Sequence, residues 1–145
     1  MWRVTRSNFT IKLKKKKINS NQFADRMGSY SHGYTITIGD SVLIFTTGQI
    51  AMDKKGIVLY PDDPGKQAEY IFESLQKILQ KAGSSLDDVV KATIFVTHME
   101  DFVKISAVRN RYFKIAEPVS TLIEVKKLVK EGCRVEIEVI AVKAN

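Results

Sequence analysis

The chain is poor in the residues that staple or ligate. It has one cysteine, Cys133, and two histidines, His32 and His98, among 145 residues. A lone cysteine excludes an internal disulfide, and a fold that needs none suits a reducing compartment, so a cytoplasmic location is expected. Cys133 falls between a turn and a strand with no identifiable partner base and reads as a packing residue. The histidines lack neighbours at metal-ligand spacing and read as structural or solvent-facing, so no metal is expected. No apolar run approaches the roughly 20 residues that cross a bilayer, and the basic N-terminus lacks the apolar stretch of a signal peptide. No membrane partner is expected. There is no phosphate-cradling glycine loop, and Gly39 and Gly48 stand alone as turn or bulge residues.

Acid is absent from residues 1–17, which carry Arg3, Arg6, Lys12 and the run Lys14 to Lys17. That segment accounts for the whole net charge of +7, because the remaining residues hold 16 basic and 16 acidic groups. The basicity therefore belongs to an extension, residues 1–17, and a single domain is expected over 18–145. Phe9, Ile11 and Leu13 alternate with Thr10, Lys12 and Lys14 as in a strand. Lysines on an edge strand block edge-to-edge aggregation. Attraction of RNA or another polyanion by the lysine run, and a simple tail, are the other readings.

What is present is an ordinary globular pattern, with 44% hydrophobic and 27% charged residues. Tyr34 to Ile38 and Val42 to Thr47 read as strands joined at Gly39-Asp40. Asp62 and Asp63 stand in capping range of a helix opened by Pro64. Ala68, Ile71, Phe72, Leu75, Ile78, Leu79 and Ala82 recur at helical spacing, and Gly83 ends the run. Lys91 to Thr97 is β-branched and strand-like. Asp101 is the expected N-cap of a second helix reaching about Ala116, with Phe102, Ile105, Val108, Tyr112 and Phe113 as its stripe. Strands over about Ser120 to Lys126 and Arg134 to Val142 follow, joined at Lys130-Glu131-Gly132. The order predicts an α+β domain with both helices on one sheet face. Yet Ile94-Phe95-Val96 and Val139 to Val142 are apolar on both faces, so the second face needs a cover; another subunit is the economical source, and loops with the N-terminal extension are the other.

Glu136 and Glu138 share one face of the last strand with Ile140 and Val142, because side chains alternate. A carboxylate beside an apolar wall can position water or exchange a proton; a half-solvated strand end is the other reading.

At these residues the chain resembles the RidA family, also called YjgF or endoribonuclease L-PSP, from Gly28 to Val142. The resemblance rests on Gly28-Ser29-Tyr30-Ser31, Thr47-Gly48-Gln49-Ile50, Ala82-Gly83-Ser84-Ser85-Leu86-Asp87-Asp88-Val89-Val90-Lys91, Asp101-Phe102, Tyr112-Phe113, Pro118, Ile123-Glu124-Val125 and Val135 to Val142, in that order and spacing. It implies a chorismate-mutase-like mixed sheet, a homotrimer with a small-molecule cleft at each subunit boundary, and no cofactor. It implies hydrolysis of reactive imines and enamines such as 2-aminoacrylate to 2-keto acids and ammonia. Glu136 matches the water-orienting glutamate and Tyr30 the pocket tyrosine, while Gly48 and Gln49 match the Ser/Thr-Gly-Gln turn. The family's Pro-Ala-Arg-Ser-like stretch is here Pro118-Val119-Ser120-Thr121. Ser120 thus stands where an arginine grips the substrate carboxylate, with Thr121 and Leu122 beside it in the expected pocket wall. A hydroxyl cannot replace a bidentate guanidinium. The expectation is a trimer whose pocket binds or hydrolyses an imine, enamine or related carbonyl compound other than a simple α-imino acid. Arg109, on the second helix, is a replacement cation or merely a solvated one. A non-catalytic ligand-binding or regulatory trimer, and an RNA-binding or RNA-cleaving one, are the alternatives.

Overall fold

The computed structural model describes residues 13–145. The alternation at Phe9 to Lys12, with Arg3 and Arg6, lies outside the described residues. Among the described residues a six-stranded mixed sheet runs in the order β1-β2-β3-β6-β4-β5. Its strands are β1 Leu13–Ile18, β2 Gly33–Ile38, β3 Ser41–Thr46, β4 Val89–Val96, β5 Val119–Glu124 and β6 Val135–Ala144. All pairs are antiparallel except β4 with β5, the pair that spans the crossover through the second helix. The described part of the basic segment is a strand at the edge of the sheet among the described residues, with Lys14 to Lys17 paired along β2. It runs on to Ile18, whose side chain is buried.

Helix α1 spans Pro64–Lys81. Asp63 caps it, its side chain accepting the Lys66 amide at 3.0 Å. Gly83, in the left-handed region at φ 69°, lets the chain leave the helix without a Cβ clash. Asp63→Ala is expected to lower stability by about 1 kcal/mol, measured as the denaturation midpoint. An unchanged midpoint would mean that Pro64 alone sets the start. The inward face of α1, including Ile71, Phe72, Leu75, Ile78 and Leu79, is buried. It meets Val42 and Ile44 of β3, Ala92, Ile94 and Val96 of β4, and Val135, Ile137, Val139 and Ala141 of β6 in one core.

Helix α2, Phe102–Tyr112, is shorter than the sequence suggests. Asp101 has helical dihedrals and makes no side-chain cap. Its buried carboxylate instead accepts two hydrogen bonds from Arg134, Nε at 2.9 Å and Nη2 at 3.0 Å. A buried carboxylate gains more from a bidentate guanidinium than from a backbone amide. Phe102, expected on the inward stripe, is exposed. At the other end Phe113 leaves the helix to meet Phe72 edge-on at 5.0 Å, so the helix stops before Ala116.

The face turned away from the helices carries Leu43, Phe45, Phe95, Ile140 and Val142, the residues alternate to the core set. None of the five is buried, and Val142 is 38% exposed. The sheet's second apolar face is therefore real, and among the described residues no helix lies on it. No helix of the described residues is long and apolar enough to cross a membrane.

Candidate functional site

The ladder between β3 and β6 slips by one residue. Phe45 pairs with Ile140, but the next bridge is Gln49 with Ile137, so four steps on one strand face three on the other. Such a bulge re-aims side chains and is common beside functional sites. Thr46 bridges the gap, because its hydroxyl accepts the Val139 amide at 3.0 Å. Beyond it Gln49 N donates to Ile137 O at 2.9 Å and Ile137 N donates to Gln49 O at 3.1 Å. These bonds lay Gly48 against the side chain of Glu136. A Cβ at Gly48 would collide with the Glu136 carboxylate where it lies, so glycine here lets that side chain rest against the backbone. Gly48→Ala is expected to displace Glu136 from the cavity described next and to relax its perturbed ionisation, readable as a shift in its carboxyl titration by NMR. An unmoved titration would show that the carboxylate has room to accommodate the methyl.

Tyr30, Gly48, Gln49 and Glu136 line one cavity of about 340 Å³. That is in the range of small-ligand sites. The loop between β1 and β2 contributes Phe23, Asp25, Met27 and His32 beside Tyr30; α1 adds Tyr70, Ser74 and Lys77; Val129 closes one side. Burial raises the Glu136 carboxyl above the ordinary glutamate range, and the like charge of Glu138 adds to this. Glu138 itself is exposed on the same strand face. The Gln49 side-chain amide is 3.5 Å from the carbonyls of Thr47 and Gly48, too long for strong bonds, which leaves its donors available to a ligand. The Tyr30 hydroxyl accepts the Met27 amide at 3.0 Å and retains its own proton for donation.

His32 holds the loop that carries Tyr30. Its backbone N donates to Asn19 Oδ1 at 3.2 Å, Nε2 lies 3.0 Å from the Ala24 carbonyl, and Nδ1 is 3.4 Å from the Ser20 amide. In those contacts Nε2 faces an acceptor and Nδ1 faces a donor, so the ring bridges two points of the loop. Phe23 meets the ring edge-on at 5.0 Å. Among the described residues no three His, Cys, Asp or Glu side chains gather as a metal-binding set. Burial, then the negative charge of Glu136, raises the Cys133 thiol above its ordinary value, opposite to what a nucleophile needs.

Ser120, Thr121 and Leu122 do not line this cavity within one chain. In the parallel register of β4 and β5 Ser120 pairs with Ala92, Thr121 with Thr93, and Leu122 with Ile94. Leu122 accordingly packs against the core, while Thr121 lies on the face away from the helices. Ser120 lines a separate depression with Arg109, Asn110, Lys114 and Glu117. The cavity residues that sequence reasoning missed come mainly from the loop and α1. Tyr70, Ser74 and Lys77, at i, i+4 and i+7, form a polar strip beside the apolar stripe; that spacing was the available signal.

Fold and cavity together define an α+β domain with a carboxylate-lined cavity at a bulged sheet end. The endoribonuclease L-PSP family model matches residues 21–143. Protein DfrA of Myxococcus xanthus is 34% identical over 131 residues, 90% of this chain and 98% of that one. A RutC family protein of Pyrococcus abyssi is 33% identical, covering 90% and 99%. Among solved structures, the YjgF gene product of E. coli matches with a TM-score of 0.75 and 31% identity over 88% of this chain and 98% of its own. E. coli TdcF, solved with bound serine, matches with a TM-score of 0.75 and 30% identity over the same shares. The chain belongs to the RidA/YjgF family, the endoribonuclease L-PSP family.

Proposed function

We propose that this protein is a homotrimer that binds or hydrolyses a small imine, enamine or related carbonyl compound in a pocket completed at the subunit boundary, hydrolysis applying to the C=N compounds. The observation that carries the reading is Glu136, a half-buried carboxylate with a raised proton affinity, held against Gly48 in a ligand-sized cavity. A water beside that carboxylate adds to the carbon of a C=N bond and yields its proton to Glu136. Glu136 passes that proton to the nitrogen, giving a carbinolamine; the carboxylate then takes the carbinolamine hydroxyl proton and delivers it to the same nitrogen as the C–N bond breaks, so that ammonia leaves a carbonyl product. Tyr30 and Gln49 supply donors that orient the ligand, which is where much of the rate comes from. The uncovered apolar sheet face supports association, because burying each Val or Ile stabilises by roughly 1.5–3 kcal/mol. The serine bound to TdcF supports a small ligand of amino-acid size.

Ser120 bears on specificity. In the proposed trimer this strand faces a neighbour's cavity, and its hydroxyl gives an α-imino acid no guanidinium to bind. The test is keto-acid formation from enzymatically generated 2-aminoacrylate. Weak turnover is expected, and Ser120→Arg should raise it about tenfold to a hundredfold, the effect of one charge-assisted pair. Vigorous turnover by the natural chain, left unchanged by Ser120→Arg, would remove residue 120 from the specificity argument. Ligand-induced thermal stabilisation with no turnover of any imine would replace hydrolysis by non-catalytic ligand binding.

A further inference from the structure

A second depression adjoins the cavity, and Tyr30 and Thr47 line both. Its floor is one cross-strand row: Lys17 pairs with Tyr34, and Tyr34 with Phe45. The loop after β1 adds Arg26, Ser29 and Ser31. Among the described residues the charged ones in this groove are Lys17 and Arg26, and no carboxylate lines it. Arg26 Nη1 donates to the Tyr30 carbonyl at 2.7 Å, which uses one guanidinium N–H and fixes the rest beside Tyr30. Among the described residues neither cation meets an acid at salt-bridge distance, and residues 1–12 contain no acid. The cavity has the opposite balance, with Asp25 and Glu136 against Lys77.

The other basic depression, beside Ser120, is a poorer candidate. There Arg109 Nε and Nη2 both donate to Asn110 Oδ1, at 3.1 and 3.0 Å, and Glu117 stands in the same wall.

We propose that the Lys17–Arg26 groove is the anion-binding half of a bipartite ligand site. The ligand's carboxylate or phosphate rests on Arg26 and Lys17 with the Ser29 and Ser31 hydroxyls, and its uncharged end passes Tyr30 and Thr47 toward Glu136. Adjacent basic and acidic regions admit an acid-bearing ligand in one orientation, because the reverse pose would set its anion against Glu136. The ligand class is thus an acid whose C=N or C=O group lies away from its charge, gripped by the N-terminal strand and loop rather than from residue 120. This rests on the cavity being the ligand site, though not on hydrolysis occurring there.

The experiment is an amide-detected NMR titration of the full chain with 4-oxopentanoate, a keto acid whose carbonyl stands apart from its carboxylate, its uncharged methyl ester and inorganic phosphate. Arg26→Gln/Lys17→Gln should weaken 4-oxopentanoate at least about tenfold and leave the ester unchanged. Arg26→Lys, which keeps the charge, should retain part of the affinity. Raised salt should weaken 4-oxopentanoate in the natural chain, since both cations are exposed. Phosphate that displaces 4-oxopentanoate extends the site to phosphates; phosphate that binds without displacing it restricts the site to carboxylates. Equal 4-oxopentanoate affinity in the natural chain and the folded double variant, or no binding of 4-oxopentanoate or phosphate at all, would overturn the proposal. 4-Oxopentanoate binding lost in the variant, alongside no imine turnover by the natural chain, would keep this site and sink the hydrolase reading. Imine turnover indifferent to both substitutions would do the reverse.

Discussion

Glu136→Gln is expected to reduce imine hydrolysis about 10²- to 10⁴-fold, the usual worth of a positioned proton acceptor, while making the folded chain more stable at neutral pH. The two effects share one cause. Burial, and then Glu138, raises the Glu136 carboxyl, so the fold prefers it protonated. The folded state therefore binds its proton more tightly than the unfolded chain does. Stability is retained at low pH and lost as pH rises from the ordinary glutamate range, about 4.3, through the raised folded value. Above that value the ionised carboxylate is a standing penalty, which glutamine removes. The stability advantage of the variant should shrink as pH falls toward 4. As a base, Glu136 acts only when ionised, so the rising limb of kcat/KM should lie above the ordinary carboxylate range and disappear in the variant. A variant that keeps the rising limb would transfer the base role to another group. One that is less stable at pH 7 would show that the carboxylate is held by favourable bonds instead of tolerated in the cavity wall.

Gln67→Leu is expected to have the largest effect on stability, about 3–5 kcal/mol, as three polar groups lose their partner. Gln67 is fully buried on α1. Its Nε2 donates to Leu59 O at 3.0 Å and Gly132 O at 2.9 Å, and its Oε1 accepts the Arg134 amide at 2.8 Å. One side chain thus ties the approach to α1 to the turn that precedes β6. Leucine has similar volume, so the substitution isolates hydrogen bonding from cavity formation. For a domain of this size the loss corresponds to a fall in Tm of roughly 10 °C or more. Because Val129 precedes that turn and lines the cavity, ligand affinity should fall with stability. A loss below about 1 kcal/mol would mean that water reaches these carbonyls once the amide is gone.

Several features were legible because their causes are local. The Asp63 cap and Pro64 start, the apolar stripe of α1, the Gly39-Asp40 hairpin and the alternation of β6 each depend on residues a few positions apart, and each is found. The same alternation put Glu136 and Glu138 on one strand face. Asp101 shows where local reading fails. Its spacing suits an N-cap, but Arg134, distant in sequence, competes for the carboxylate and wins by making two charge-assisted bonds. The end of α2 was likewise set by Phe72, which draws Phe113 into the core.

The site divides along the same line. The sequence by itself determined the mixed α+β pattern, the charge confined to residues 1–17, the apolarity of both sheet faces and the family to which the chain belongs. It also determined that serine, not arginine, follows Pro118 and Val119. Tertiary structure alone decided that Tyr30, Gly48, Gln49 and Glu136 share a cavity, because a one-residue slip between β3 and β6 turns Gly48 onto Glu136. It also decided that Leu122 faces the core and that Arg26 and Lys17 stand beside Tyr30. Side-chain periodicity follows from one strand's own backbone, whereas register and the meeting of loop with sheet depend on packing between segments far apart in the chain.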